Sequence, residues 1–184
     1  MRVIAGRWKG RPLRGGRGLV MRPTTDRVKE AVFSILSTRV TGSEVADLYC
    51  GAGGLGIEAL SRGAAFVHFV DTSPTALNLT RLNLEACLSD HSSFRLSRAE
   101  ALRWLAVFVA DGHWRPVIVL ADPPYGTDWA SEVISLLQHA PADFPLSAAI
   151  VEHGSDAEWE PQPSGRFLWR RRSYGTTTLT ILEG

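Results

Sequence analysis

The chain has two cysteines, Cys50 and Cys87, and they stand in no CxxC or Cys/His spacing. That suggests neither a disulfide framework nor a metal site, and leaves two reduced thiols as the expectation. No apolar run approaches the length of a membrane span, and the N-terminus lacks the uninterrupted apolar stretch of a secretion signal. Internal repeats and low-complexity tracts are missing too. Lysine is nearly absent: eighteen of the twenty cations are arginine, whose fork pairs bidentately with phosphate. What remains is an ordinary globular composition, 45% hydrophobic and 21% charged, over 184 residues. This is enough for one well-buried domain and little more.

Charge is unevenly spread. Residues 1–30 hold nine cations against Asp26 and Glu30, while the remainder holds eleven cations and seventeen acids. A basic segment on a mildly acidic body is the pattern of a phosphate-binding arm. Residues 1–22 interleave Arg with Gly and carry Trp8 within Gly6-Arg7-Trp8-Lys9-Gly10-Arg11. So many glycines disfavour a helix. The segment reads as a strand or hairpin plus a flexible arm lying on nucleic acid through Arg7, Lys9 and Arg11, with Trp8 available for stacking. A solvated tail is the alternative. Pro23-Thr24-Thr25-Asp26 opens a helix, with Thr24 or Thr25 as cap and Asp26 in the first turn. Val28, Ala31, Val32, Ile35 and Leu36 recur at helical spacing and are expected to face the sheet, with Arg27, Lys29 and Glu30 turned away. Gly42-Ser43 marks a boundary, giving a basic extension over 1–41 and a main domain over 42–184.

From residue 45 short apolar strands alternate with helical segments, the signature of a parallel sheet covered on both faces. Strands are expected at 45–49, 66–70, 94–97, 117–121 and 148–152. Helices are expected at 55–62, from Pro74 to about 87 with Ser73 as cap, at 100–109, and at 129–139. Residues 167–172 and 176–182 form a closing antiparallel pair. The fold class is therefore α/β, a doubly wound Rossmann-like sheet, mostly parallel.

Asp47-Leu48-Tyr49-Cys50-Gly51-Ala52-Gly53-Gly54-Leu55-Gly56 leaves the first strand, and Gly51, Gly53 and Gly56 match G-x-G-x-x-G. The glycines allow a tight turn and close approach of a ligand to the helix N-terminus. Asp71 follows at the end of the second strand, where a carboxylate accepts from ribose hydroxyls. Asp47 places negative charge where a dinucleotide pyrophosphate would lie, so S-adenosylmethionine, whose tail bears an ammonium, fits better than NAD. Glu100, after the third strand, is placed for the adenine amine or for the first turn of its helix. Tyr49 and Ala101 complete the expected cofactor set. Asp122-Pro123-Pro124-Tyr125 ends the apolar strand Val117-Ile118-Val119-Leu120-Ala121. A carboxylate and carbonyls to accept amine hydrogens, with a ring to stack on, suit a flat base carrying an exocyclic amine. The plainer reading is a strand end and a core tyrosine.

These segments together resemble the bacterial 16S ribosomal RNA guanine-N2 methyltransferases that modify guanine 966. The resemblance covers nearly the whole chain. It runs through Arg2-Val3-Ile4-Ala5-Gly6-Arg7-Trp8-Lys9-Gly10-Arg11, Arg22-Pro23-Thr24-Thr25-Asp26-Arg27-Val28-Lys29-Glu30, the glycine loop continuing to Ala65, Ala121-Asp122-Pro123-Pro124-Tyr125, and Tyr174-Gly175-Thr176-Thr177-Thr178-Leu179. The second segment is the most diagnostic. Asp71 stands where that family often has Glu, Glu100 where Asp is common, and Cys50-Gly51-Ala52-Gly53-Gly54 replaces the commoner Ala-Gly-Ser-Gly-Ala. The resemblance implies a class I methyltransferase using S-adenosylmethionine and releasing S-adenosylhomocysteine, with Asp122, Pro123, Pro124 and Tyr125 as the catalytic set. It also implies RNA contacts by Arg7, Trp8, Lys9, Arg11, Thr25 and Arg27, no metal, and a cytoplasmic monomer. The implied partner is 16S ribosomal RNA within a 30S subunit or assembly intermediate. Rival readings are an adenine-N6 DNA or protein-glutamine methyltransferase, and a non-catalytic RNA-binding module on the same fold.

Overall fold

Apolar runs of about five residues become strands where turn residues bound them, and the longer periodic segments between become helices. The computed structural model describes residues 1–15, 26–87, 92–113, 115–162 and 166–184. The order begins with α1 (Asp26–Leu36), a 3₁₀ turn (Ser37–Val40), β1 (Glu44–Leu48), α2 (Gly54–Ser61), β2 (Phe66–Asp71) and α3 (Pro74–Glu85). It continues with β3 (Phe94–Arg98), α4 (Ala101–Ala110), β4 (Val117–Ala121), α5 (Trp129–Gln138), β5 (Leu146–Gly154), β6 (Leu168–Tyr174) and β7 (Thr177–Glu183). Ser73 caps α3 as expected, accepting from the Ala76 amide at 3.2 Å, with Pro74 at the first helical position. The expected cap at Thr24 or Thr25 lies outside the described residues.

One sheet holds all seven strands in the order β3-β2-β1-β4-β5-β7-β6. The first five are parallel, and the expected antiparallel pair closes the sheet with β7 between β5 and β6. The strand order reverses between β1 and β4, so their carboxyl ends flank the crevice where open α/β sheets bind ligands. Every residue of β4 is buried, as a central strand covered on both faces requires. Alternate residues serve the two layers. Val45 joins α1, α2 and α3 in one core, and Ala46 joins α4 and α5 in the other.

The basic N-terminal segment is not a free arm over residues 1–15. An antiparallel bridge pairs Arg2 with Pro12, and the Val3 amide donates to the Arg11 carbonyl at 2.9 Å. Val3 and Leu13 enter the same core as α1 and α2. The expected hairpin is thus a single bridge around a turn, seated on the body.

Lys29 corrects the helical reading of α1. It was expected outward beside Arg27 and Glu30, yet it is 1% exposed. Its ammonium donates to the Arg2 carbonyl and lies 3.4 Å from Glu58. Position 29 shares a helix face with Phe33, which is also buried, while Ala31 sits at the rim. The apolar stripe is therefore rotated toward α2, and a long side chain with a buried acid to meet can follow it inside.

Candidate active site

The chain leaves β1 through a loop that four side chains hold by its backbone. Asp47 accepts the Gly56 amide at 2.8 Å, and Asp71 accepts the Gly51 amide at 3.0 Å. From α3, Thr80 donates to the Gly51 carbonyl at 2.8 Å and Asn83 donates to the Ala52 carbonyl at 2.9 Å. Sequence reasoning missed Thr80 and Asn83, which lie on a helix with no motif of their own. Gly51 and Gly53 take positive φ values of 54° and 77°, which explains glycine at both.

Gly56 is there for a different reason from the one expected. A Cβ on it would meet the Phe69 ring at 2.3 Å and Asp47 at 2.9 Å. The third glycine brings α2 close to β2, and its bare side faces protein rather than ligand.

Asp47 is 2% exposed. Burial pushes its carboxyl well above the usual range; the Gly56 amide opposes this, and the fields of Asp122 and Asp71 add to it. A buried acid with two more nearby fits a cationic ligand group, and that is the chemistry of a methionine ammonium. Asp71 spends one oxygen on Gly51 and the other on the Ser73 amide at 2.8 Å. Each oxygen retains a second lone pair for a ribose hydroxyl. Glu100 is exposed and caps α4, accepting from Leu102 at 2.9 Å and Arg103 at 2.7 Å. Of its two sequence readings, the capping one is what the structure displays. Ala101 is buried in the second core, which leaves only its backbone to meet a ligand.

Tyr49 has a positive φ of 58°, a strained backbone for a non-glycine residue. Its ring stacks on Trp129 with centroids 5.6 Å apart and planes at 11°. The hydroxyl is buried and has no hydrogen-bond partner among the described residues. Burial pushes it upward, reinforced by Glu100 and Glu132. The beginning of α5 thus joins the site through Trp129, which the sequence did not single out. Cys50 is buried and its thiol is likewise pushed up by burial, the state of an unreactive structural cysteine.

Asp122 continues β4 at the same sheet edge, its amide reaching the Leu48 carbonyl of β1 at 3.4 Å. The side chain is half-buried, Pro123 is buried and Pro124 exposed. Tyr125 donates to Glu152 at 2.8 Å and meets Thr177 at 2.8 Å. These two residues, from β5 and β7, fix the ring, and burial pushes its hydroxyl up as well. Beside the turn lies a crevice of about 210 Å³ lined by Pro123, Pro124, Tyr125, Asp128, His153 and Trp159 among others. A larger hollow of about 530 Å³ lies among Arg39, Arg166 and Arg170. It has none of the site residues.

Arg7, Lys9, Arg11 and Arg27 are exposed. Arg7 donates to the Leu60 carbonyl at 3.1 Å, and Arg11 donates to the Ala86 carbonyl. Trp8 was expected to be open for stacking. Instead it is half-buried against the core, and the Arg7 guanidinium sits 5.0 Å over its ring. Thr25 lies outside the described residues. Among the described residues no group of three His, Cys, Asp or Glu could hold a metal ion, and no helix is long and apolar enough to cross a membrane.

A family model described as "Conserved hypothetical protein 95" matches residues 1–183. A candidate rRNA methyltransferase of Bacillus subtilis strain 168, YlbH, is 33% identical over 184 residues, covering 100% of this chain and 98% of its own. The ribosomal RNA small subunit methyltransferase D of Haemophilus influenzae is 37% identical over 139 residues, 74% of this chain and 70% of its own. Among solved structures, the candidate methyltransferase yhhF from Escherichia coli superposes with a TM-score of 0.79 at 28% identity, covering 100% of this chain and 97% of that one.

Proposed function

The chain belongs to the family described as conserved hypothetical protein 95, and on that premise we propose that it is a ribosomal RNA methyltransferase. It moves a methyl group from S-adenosylmethionine to the exocyclic N2 of a guanine in 16S ribosomal RNA, guanine 966 in the family it resembles. The relatives' names support ribosomal RNA as substrate. The observation that carries the reading is Asp122 at the end of β4, its amide 3.4 Å from the Leu48 carbonyl at the end of β1, the strand that also bears the buried Asp47. In this reading donor and acceptor share the crevice at the ends of those two strands.

S-adenosylmethionine, when bound, supplies an electrophilic methyl on a sulfonium. Asp47 would face its ammonium, the Gly51–Gly53 turn and Asp71 its ribose, and Glu100, from its position capping α4, its adenine edge. The N2 lone pair of guanine is delocalised into the ring and is a poor nucleophile. Asp122 and the Pro123 carbonyl accept the two amine hydrogens, turn the lone pair out of conjugation and stabilise positive charge developing on nitrogen as the N–CH3 bond forms and the S–CH3 bond would break to leave S-adenosylhomocysteine; the surplus N2 proton then leaves to Asp122 or to solvent. Tyr125, fixed by Glu152 and Thr177, holds the base flat, and Pro124 rigidifies the turn. Positioning two bound reactants in line supplies on the order of 7–11 kcal/mol of the barrier. The guanine leaves its stack to enter. Arg7, Lys9, Arg11, Thr25 and Arg27 hold the phosphate backbone, with Trp8 as the packed base of that surface. The protein acts as a cytoplasmic monomer on RNA within a 30S subunit or assembly intermediate.

Asp122→Ala tests the reading. Calorimetry is expected to return unchanged S-adenosylmethionine affinity while labelled-methyl incorporation into 30S subunits from cells lacking the protein disappears. Full incorporation by the variant, or no N2-methylguanosine in nucleoside mass spectra with the unaltered protein, rejects it.

A further inference from the structure

Asp122 and Pro123 grip an exocyclic amine, and an amine alone does not tell guanine from adenine. The distinction lies on the neighbouring ring nitrogen. N1 of guanine carries a hydrogen beside its amine, whereas N1 of adenine is an acceptor. A guanine-specific pocket therefore needs a hydrogen-bond acceptor set beside the ring on which the base stacks.

The crevice next to Tyr125 has three acidic residues in its lining, Asp128, Asp156 and Glu158. Asp156 is singled out by its position. A Cβ placed on Gly154 would meet Asp156 Oδ1 at 2.3 Å and Tyr125 Cδ2 at 3.5 Å. The bare Gly154 thus lets this carboxylate fold over the end of β5 alongside the aromatic ring. Its backbone neighbours are anchored, since Ser155 donates to the Thr176 carbonyl at 3.1 Å and Ala157 donates to the Gly154 carbonyl at 3.3 Å. The ring is anchored too, through Glu152 and Thr177. Among the described residues the Asp156 carboxylate makes no hydrogen bond. An exposed acceptor therefore lies beside the stacking surface.

We propose that Asp156 specifies guanine, its carboxylate accepting the N1 hydrogen of the base held on Tyr125. The inference rests on the guanine-N2 reading above. It assigns Asp156 a substrate contact distinct from the amine contacts of Asp122, and it assigns Gly154 the role of making room for that contact.

The test compares small-subunit particles reconstituted with either guanine or 2-aminopurine at the target position. 2-Aminopurine keeps the reacting amine but presents an unprotonated N1. The unaltered protein should prefer guanine. Asp156→Asn keeps only a neutral, weaker acceptor and gains a donor for an unprotonated N1, so kcat/KM for guanine should fall about tenfold, the difference between a charge-assisted and a neutral hydrogen bond. The guanine-to-2-aminopurine ratio should fall with it, and S-adenosylmethionine affinity should stay unchanged. Asp156→Glu should retain the preference for guanine. A ratio unaltered in Asp156→Asn, or one that moves with Glu158→Gln instead, overturns the inference while leaving guanine methylation standing. No methyl transfer to the guanine particle by the unaltered protein overturns both.

Discussion

The Lys29 ammonium lies 3.4 Å from the Glu58 carboxylate with both side chains out of water, 1% and 0% exposed. Glu58 also accepts the amides of Ile4 at 2.7 Å and Ala5 at 2.9 Å, and the Arg62 guanidinium at 2.9 Å. One acid on α2 therefore ties α1 and the N-terminal segment to the methyltransferase sheet. Burial lowers the Lys29 pKa, and Glu58 resists that shift.

Removing this acid leaves the buried Lys29 ammonium with only the Arg2 carbonyl and leaves two part-buried amides without an acceptor. Glu58→Ala is expected to cost about 3–5 kcal/mol, read as a lower urea midpoint, and to expose residues 2–13 to proteolysis. An unchanged midpoint with an intact N-terminus would show that the buried pair holds nothing in place.

Asp47 carries the opposite kind of strain. Its folded pKa is raised, so its contribution to stability is complete below the unfolded value near about 3.9 and is lost as pH rises through the folded value. Asp47→Asn removes the buried charge while its amide oxygen still accepts from Gly56. The variant without cofactor should gain thermal stability relative to the unaltered protein as pH rises above the unfolded value, and should bind S-adenosylmethionine more weakly. A stability difference that is flat with pH would mean that Asp47 is not ionised uncomfortably in the fold.

Gly56→Ala puts a methyl group into the Phe69 ring. The expected loss is about 1–3 kcal/mol from overpacking. Pairing it with Phe69→Leu should recover part of the loss in denaturant titrations. Full stability of the single variant would return Gly56 to a ligand-facing role.

Replacing Arg7, Lys9 and Arg11 together with Gln should weaken RNA binding and reduce the magnitude of the salt slope by roughly 0.7–0.9 for each phosphate no longer neutralised, with cofactor affinity unchanged. Arg7 and Arg11 also hold backbone carbonyls of the body, so Lys9→Gln alone is the cleaner probe of charge. A slope that does not move would remove the arm from the RNA surface.

The alternation of apolar runs and helical periods, the G-x-G-x-x-G loop and the Asp-Pro-Pro-Tyr turn were all legible in the sequence. Each is a local property: a strand or helix declares its buried face within a few residues, and a turn declares its residue types. The inward Lys29, the packed Trp8 and the packing role of Gly56 depended on tertiary structure, as did the grip of Glu152 and Thr177 on Tyr125. Tyr125 and Thr177 are 52 positions apart, and Glu58 and Ile4 are 54 apart. Such partners become neighbours only when the sheet takes its order, with β7 against β5 and the N-terminal bridge against α2. Local patterning decides which side of an element avoids water; what waits on that side depends on how distant elements pack.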